Sequence, residues 1–280
     1  MIGIVILNYN TYEDTIRLVN ELQHQTIANQ LTIVVVDNYS PNGSYEKLKT
    51  IEELYSNTIL LQSGENRGYS AGNNIGLKYT IGQGLKYTLI VNPDIEIHQK
   101  DYIAKMVAKI NMDSKIAVLG TDIVNVEGNH QNPMREVGFW EELFWFYELL
   151  SLRKNNRVIY TENHSHSRYC EKLSGCCFMI RNSFIEQIGF LDENTFLYCE
   201  EPILAKQVRQ CGLKMFYMAE LQAFHNHIKA KKGNPVKRMK TFTASRNYYL
   251  EKYSGYSPFS VRLLRFSRIT QSFFYRLFKH

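Results

Sequence analysis

The sequence contains no apolar run long enough to cross a lipid bilayer. None of its apolar stretches reaches the ~18 consecutive apolar residues that a spanning helix needs. The first residues form an apolar run without the basic start and small-residue cleavage site of a secretory signal. Only 6 of the 280 residues are proline and 44% are hydrophobic, which excludes a disordered or collagen-like chain. We expect a globular protein whose first apolar run is a buried strand.

The five cysteines follow no metal-binding or redox pattern. They stand at positions 170, 176, 177, 199 and 211, with no CxxC pair and no spacing typical of a zinc site. Several of them lie in apolar runs. The pattern favours reduced core residues of a cytosolic protein over a disulfide framework.

Two common nucleotide-binding motifs are also missing. The chain has neither the GxGxxG of dinucleotide-binding proteins nor the GxxxxGK[ST] loop of P-loop proteins. Gly68, Gly72 and Gly76 are instead spaced four apart. Gly68 would let the backbone approach a ligand closely, whereas Gly72 and Gly76 share one helix face and favour close packing. This spacing argues against a nicotinamide-dependent enzyme.

Acidic residues are almost absent from the C-terminal segment. Residues 229–280 hold 13 lysines and arginines and one acid, Glu251, a net charge of +12. The other 228 residues hold 20 basic and 26 acidic residues, a net charge of −6. The segment has no recognisable nucleic-acid motif, and the acidic portion would repel a phosphate backbone. We therefore expect no nucleic-acid partner.

Short apolar runs alternate with helical patterns over about the first 120 residues, which is typical of parallel α/β structure. The predicted strands are 2–7, 31–36, 59–62, 87–91 and 116–119, with helices at 11–25, 44–54 and 71–80. Further on, the pattern predicts strands at 173–180 and 214–218 and helices at 184–188 and 203–211. The aromatic stretch 139–152 is interpreted as either a buried helix or an aromatic lip over a cleft.

Polar motifs directly follow the first four predicted strands. They are Asn8-Tyr9-Asn10, Asp37-Asn38, the segment from Glu65 to Asn74, and Asn92-Pro93-Asp94. Ligands of open parallel sheets bind outside the carboxyl ends of the strands, so four such motifs indicate one shared rim. Asp37 is placed to accept a hydrogen bond from the N3–H of a uracil or thymine ring. Asp94 suits a divalent cation carried by a diphosphate.

This ordered series resembles the inverting family-2 glycosyltransferases with a GT-A fold, over about residues 1–228. The segments Asn66-Arg67-Gly68-x-x-x-Gly72-Asn73 and Val91-Asn92-Pro93-Asp94 carry the match in the first half, and Ser174-Gly175-Cys176, Gly189-Phe190-Leu191-Asp192-Glu193 and Glu200-Glu201 carry it in the second. The Asn-Pro-Asp segment is similar to that of the rhamnosyltransferase-like members. The expected fold is α/β, with a Rossmann-like, mostly parallel sheet covered by helices on both faces and a helical C-terminal extension.

The resemblance also implies a division of the chain and a set of site residues. Residues 1–130 would bind the nucleotide sugar, 131–228 would form the acceptor half, and 229–280 would be a basic, aromatic segment. The donor-binding residues implied are Asn8, Asn10, Asp37, Asn66, Arg67, Gly68, Asn73 and Asn92. Asp94 and His225 would hold Mn²⁺ or Mg²⁺.

A carboxylate must take the proton of the acceptor hydroxyl in an inverting transfer. The family alignment favours Glu201 as this base and Glu200 as a positioning or acceptor-binding group. An adjacent like charge raises a carboxylate pKa and a helix N-terminus lowers it, and the sequence leaves open which effect is larger. The glutamate at 201 and the asparagine at 92 depart from the usual family pattern.

The function implied is transfer of a sugar from a nucleotide-diphosphate sugar, either dTDP-rhamnose or a UDP-sugar, to a glycan or lipid-linked acceptor in cell-surface polysaccharide synthesis. The alternative is a sugar-nucleotide-binding or scaffold protein of the same fold without turnover. A basic, aromatic helix predicted over 261–278 indicates either an anionic membrane surface as partner or packing on the domain. We expect a cytoplasmic enzyme, peripheral on the inner face of the cell membrane, with a homodimer as one of its assemblies.

Overall fold

The structure is a computed structural model that describes residues 1–146, 161–226 and 235–277. The strands are β1 (Ile2–Asn8), β2 (Leu31–Asp37), β3 (Thr58–Gln62), β4 (Tyr87–Val91), β5 (Ile95–Glu96), β6 (Ile116–Asn125), β7 (Arg168–Cys170), β8 (Cys177–Arg181) and β9 (Lys214–His225). The α-helices are α1 (Tyr12–Leu22), α2 (Ser44–Leu54), α3 (Tyr69–Gly82), α4 (Tyr102–Met112), α5 (Phe139–Leu143), α6 (Asn182–Ile188), α7 (Glu200–Gln210), α8 (Pro235–Lys252) and α9 (Pro258–Leu277).

The strands of this described part form one sheet in the order β3-β2-β1-β4-β8-β6-β9-β5, with β7 beside β9. The first four strands are parallel, as the apolar runs predict. From β8 onward the sheet is mixed: β8 runs antiparallel to β4 and β6, whereas β6 and β9 are parallel. The α/β fold class is therefore confirmed, with the parallel arrangement concentrated in the first half.

Helices cover both faces of the sheet. One face is packed by α1, α2 and α4 through residues such as Leu18, Leu48 and Met106. The other is packed by α3, α6 and α7 through residues such as Leu77 and Phe184. Because both faces are buried, the central strands are apolar without alternation.

Helix α3 lies unusually close to β1. A Cβ atom at Gly72 would stand 2.4 Å from Leu7 Cδ1, and one at Gly76 would stand 2.6 Å from Val5 Cγ1. Any larger side chain would push the helix off the strand. The packing role predicted for this pair of glycines is confirmed.

Helices α8 and α9 pack against the second half of the sheet domain. Tyr249 and Leu250 of α8 and Leu264 of α9 are buried together with Cys199 and Ile203. The predicted boundary between 1–228 and 229–280 falls within residues 227–234, outside the described part of the chain. His227 and the lysines at 229, 231 and 232 also lie outside it.

Helix α7 begins earlier than predicted. Pro202 is its third residue rather than its first, so Glu200 and Glu201 lie in the first helical turn. Proline is tolerated there because its missing N–H has no acceptor within the helix. The strand predicted at 173–180 is confined to β8, because residues 173–176 precede the ladder, and residues 173–175 line a cavity instead.

Candidate functional site

An open cleft lies where β1, β2 and β4 end. Its walls come from the predicted polar motifs and from residues far along the chain. They include Tyr9, Thr11, Asn38, Asn66, Gly68, Asn92, Pro93 and Asp94, together with Arg17, Phe196, Leu197, Asn226 and Lys237. The shared rim predicted from the strand ends is therefore present, and we call this space the donor cleft.

Two predicted donor-binding residues lie behind the cleft wall. Asn8 and Asp37 are paired in the register of the two parallel strands, and both are 0% exposed. The Asn8 amide donates to Asp37 Oδ1 at 2.7 Å, and the backbone N–H of Ser40 donates to Oδ2 at 3.0 Å. Asp37 is thus engaged internally and does not line the donor cleft, whereas its neighbour Asn38 does.

Asn38 was not among the predicted contacts, although it follows the same strand. Its amide nitrogen donates to Asn66 Oδ1 at 3.0 Å and to the Gly68 carbonyl at 3.3 Å. These bonds join the loops after β2 and β3. The sequence already showed Asn38 as the second residue of the Asp37-Asn38 pair that follows β2.

The remaining predicted residues of the donor half fall into different environments. Asn10 and Arg67 are exposed, and Arg67 Nη2 pairs with Glu193 Oε2 at 3.1 Å. Asn73 is 0% exposed within α3, where its amide nitrogen donates to the Tyr69 carbonyl. None of the three lines the donor cleft.

Gly68 has a positive φ of 100° and lies against another part of the chain. A Cβ atom there would stand 2.1 Å from the Phe196 carbonyl oxygen, and the Tyr69 N–H donates to that oxygen at 2.9 Å. The glycine therefore permits close approach of Phe196, while its position on the cleft wall agrees with the prediction.

The two predicted metal ligands meet at the edge of the donor cleft. Ile95 of β5 pairs with His225 of β9, which brings Asp94 beside His225. Asp94 Oδ2 lies 3.3 Å from His225 Nε2, and His225 Nδ1 lies 2.8 Å from Gln131 Oε1. A carboxylate oxygen and an imidazole nitrogen that converge in this way fit a divalent cation such as Mn²⁺.

A second group of metal-binding side chains was not predicted. One ligand atom each from Glu21, Glu96 and His98 lies within 4.8 Å of the others. Glu96 also pairs with Arg17 Nη1 at 2.7 Å, so part of its charge is already compensated. Glu96 also lines the donor cleft. These side chains, together with Arg17, therefore form an ion-pair network at the rim of the cleft.

The charges around the donor cleft favour a bound cation. Glu13, Asp14, Asp94 and Glu96 line it, against two basic side chains among its described lining residues, Arg17 and Lys237. An anionic diphosphate in such surroundings needs a neutralising charge.

Glu200 and Glu201 line a second, smaller cavity beside the donor cleft. Its other walls include Ser174, Gly175 and Asp192. Tyr69 lines both spaces, and its hydroxyl donates to the Gly175 carbonyl. We call this space the carboxylate cavity, with Tyr69 as the divider between it and the donor cleft.

The sequence left open whether the pKa of Glu200 is raised or lowered, and burial decides this. Loss of hydration, followed by the charge of Glu201, raises the pKa of Glu200 to about 8. Glu200 Oε1 is buried, and no described group hydrogen-bonds to it. Tyr198 and Cys199, just before it, both have positive φ, at 75° and 67°. Left-handed conformations are costly for such residues and concentrate at functional sites.

All five cysteines are free thiols, as predicted. Burial raises the pKa of Cys199 to about 12 and of Cys177 to about 11. These thiols are inert at neutral pH.

A profile of Glycosyl transferase family 2 matches residues 3–189. The chain belongs to this family. It is a glycosyltransferase, as its ordered motifs and the cleft at the strand ends indicate.

Two curated relatives show how far the similarity extends. The low-salt glycan biosynthesis hexosyltransferase Agl10 of Haloferax volcanii is 27% identical over 228 residues, which cover 80% of this chain and 67% of Agl10. The N-acetylglucosaminyl-diphospho-decaprenol L-rhamnosyltransferase of Mycobacterium tuberculosis is 22% identical over 250 residues, which cover 81% of this chain and 76% of that protein. The predicted resemblance to family 2 and its rhamnosyltransferases is confirmed.

Solved structures confirm the GT-A fold. GalNAc-T7, crystallised with UDP, GalNAc and Mn²⁺, superposes with a TM-score of 0.65 at 17% identity, covering 89% of this chain. The match covers 47% of GalNAc-T7, so this chain spans about half of that protein's length. The mannosyltransferase PcManGT from Pyrobaculum calidifontis, in complex with GDP-Man and Mn²⁺, has a TM-score of 0.61 at 12% identity, covering all of this chain and 75% of PcManGT.

Within the described ranges, no helix has the length and apolar character to cross a membrane.

Proposed function

We propose that this glycosyltransferase moves a sugar, with inversion, from a nucleotide-diphosphate sugar to a hydroxyl of a glycan or lipid-linked acceptor. The convergence of Asp94 and His225 on the edge of the donor cleft is the observation that carries the proposal. It supports a metal-bound diphosphate as the leaving group. The relatives' printed activities, hexosyl and rhamnosyl transfer, support the same reaction class.

Asp94 and His225 would hold the cation through one oxygen and one nitrogen, and the cation would supply charge stabilisation to the departing diphosphate. Asn38 and Asn66 offer amide groups in the cleft for the nucleotide. Asp37 would act from behind the wall by fixing Asn8 and the turn at Ser40. The sequence suggested that Asp37 contacts the uracil or thymine ring directly. The buried position of Asp37 instead gives it a supporting role.

Glu201 would take the proton of the attacking acceptor hydroxyl. Adjacent Glu200 has a raised pKa and therefore holds a proton at neutral pH, so we assign the role of proton acceptor to Glu201 rather than to Glu200. Tyr69 lines both spaces, so a transfer between the donor cleft and the carboxylate cavity would take place beside it.

The name of the mycobacterial relative supports rhamnose and a polyprenyl-diphosphate-linked acceptor as the substrates to test first. This choice agrees with the expected role in cell-surface polysaccharide synthesis. Thermal-shift measurements with dTDP-rhamnose, UDP-GlcNAc and GDP-mannose, each with Mn²⁺, identify the donor. NMR of the product then gives the anomeric configuration. Retention, or the absence of transfer with every donor that binds, would contradict the proposal and favour the non-catalytic alternative.

A peripheral membrane site on the outer side of α9 is the second part of the proposal. Phe259 and Phe266 are 70% and 67% exposed, and Arg262 is exposed beside them. Arg268, by contrast, is buried in an ion pair with Glu142, so it contributes nothing to such a surface. Aromatic side chains flanked by arginine suit a lipid headgroup region.

Point variants test this membrane site better than removal of residues 258–280, because removal would also delete Leu264 from its buried cluster, expose Leu250 and uncover Glu142. Phe259→Ser with Phe266→Ser should reduce sedimentation with anionic vesicles at low salt. Equal sedimentation of wild type and variant would contradict it. A homodimer stays a prediction, which light scattering of the full chain checks.

A further inference from the structure

Residues 189–199, which we call the bridging loop, connect α6 to the two glutamates of α7. Phe190, Tyr198 and Cys199 in this loop have positive φ values of 76°, 75° and 67°. Side-chain-bearing residues adopt this conformation only where surrounding contacts impose it. The bridging loop therefore depends on its neighbours for its shape.

The donor half supplies one set of these contacts. The Asn74 amide donates to the Leu191 carbonyl at 2.8 Å and accepts from the Leu191 N–H at 3.1 Å. Asn74 also donates to Glu193 Oε1 at 2.9 Å, and the Tyr69 N–H donates to the Phe196 carbonyl. These bonds attach the bridging loop to α3, next to the donor cleft.

Helix α8 and the residue just after it supply a second set from the opposite side. The hydroxyls of Tyr248 and Tyr253 both donate to Asp192 Oδ2, at 2.7 and 2.5 Å. Ser245 Oγ donates to the Leu197 carbonyl at 2.7 Å. Burial raises the pKa of Asp192, but the bonds from Tyr253 and from Asn194 outweigh it and hold that pKa below its ordinary value.

The bridging loop forms walls of both spaces of the site. Phe196 and Leu197 line the donor cleft, and Asp192 lines the carboxylate cavity. A displacement of the loop would therefore move Glu200 and Glu201 relative to the donor. Small misplacements of reacting groups reduce rates strongly.

We propose that Tyr248 and Tyr253 are positioning residues of the transfer site, which hold the bridging loop through Asp192 and so set the glutamates against the donor cleft. The inference rests on the proposed function, because it assigns the glutamates to transfer. It gives the C-terminal extension a role within the site.

The test compares the double variant Tyr248→Phe/Tyr253→Phe with Tyr256→Phe. Tyr256 packs in the same cluster, and Asp192 accepts no hydrogen bond from it, so its variant removes a hydroxyl without touching the proposed link. Hydrogen exchange of the 189–199 amides, the Kd for UDP with Mn²⁺, and kcat and KM for donor and acceptor are measured on folded protein.

The double variant should exchange the 189–199 amides at least tenfold faster than wild type and Tyr256→Phe. Its kcat should fall by about 10- to 100-fold, while the Kd for UDP stays within a factor of two. In an Asp192→Asn background the same two substitutions should add little. Unchanged exchange in the bridging loop would overturn the inference, as would a kcat within a factor of two of wild type.

Failure of the proposed function gives a different result. If wild type transfers no sugar, the hydrogen-exchange comparison still decides whether the tyrosines hold the loop. Faster exchange then supports the mechanical link alone and refutes its catalytic purpose.

Discussion

The proposed donor half, residues 1–130, and the proposed acceptor half, residues 131–228, place their polar residues by different physical means. In the donor half, parallel strands carry polar residues to one edge, and the register alone places Asn8 opposite Asp37. In the acceptor half, Glu200 follows two residues that have a left-handed backbone conformation. The loop before Glu200 is held by contacts from α3, from α8 and from the residue just after α8. The first arrangement depends on strand register, whereas the second depends on side-chain contacts between segments far apart in the sequence.

Replacing the proposed base should separate the two halves most clearly. Glu201→Gln preserves shape but cannot accept the proton, so kcat should fall by the ~10²–10⁴-fold typical of a lost general base. Donor binding should be unchanged, because Glu201 lines the carboxylate cavity and not the donor cleft. Steady-state kinetics with a calorimetric donor titration measure both. A kcat within a few-fold of wild type would move the base to Glu200 or Asp192.

The attachment of the extension to the acceptor half depends on one buried carboxylate. Glu142 accepts hydrogen bonds from Arg246 and Arg268, which hold its pKa below the ordinary value against the effect of burial. Glu142→Gln leaves two buried arginines without a counter-charge, and the free energy of unfolding should fall by about 3–5 kcal/mol.

Urea unfolding measures the loss, and the neighbouring Glu141→Gln is the control. Glu141 pairs with Arg135 in a more exposed position, so its loss should be about 1 kcal/mol or less. Equal losses in both variants would show that the extension is held mainly by apolar packing.

The packing of the donor half is tested at α3. Gly76→Ala places a methyl group against Val5 and should reduce the free energy of unfolding by about 1–3 kcal/mol. Gly82→Ala, at the end of the same helix, meets no atom within 4 Å and should be neutral or slightly stabilising. If both variants unfold alike, the close approach of α3 to β1 is not what stabilises this half.

A pH dependence of stability is expected from Glu200. The unfolded side chain loses its proton near pH 4.5, and the folded one keeps it until about pH 8. Between these values the folded state binds more protons, so this group reduces stability as pH rises. The Tm of Glu200→Gln should therefore rise relative to the Tm of wild type between pH 5 and pH 8. A constant Tm difference between Glu200→Gln and wild type over this range would contradict the raised pKa of Glu200.

The two halves were also predictable to different degrees. The order of β1 to β4, the shared rim and the packing glycines follow from apolar runs and strand-end motifs, because these depend on local spacing. That Asn38 rather than Asp37 lines the cleft depends on side-chain pairing between strands. The mixed half of the sheet, the early start of α7 and the link from Tyr253 to Asp192 depend on contacts between distant segments, which a single sequence does not display.

A calorimetric titration with UDP and with dTDP, with Mn²⁺ and with chelator, tests the central claim most directly. It compares wild type, Asp94→Ala and Glu201→Gln. The account predicts that a nucleotide binds wild type and Glu201→Gln equally in Mn²⁺, and that chelation and Asp94→Ala each weaken this binding by at least tenfold. Wild-type binding as tight in chelator as in Mn²⁺, together with undiminished binding by Asp94→Ala in Mn²⁺, would contradict the division of labour between metal-dependent donor binding and a separate catalytic carboxylate.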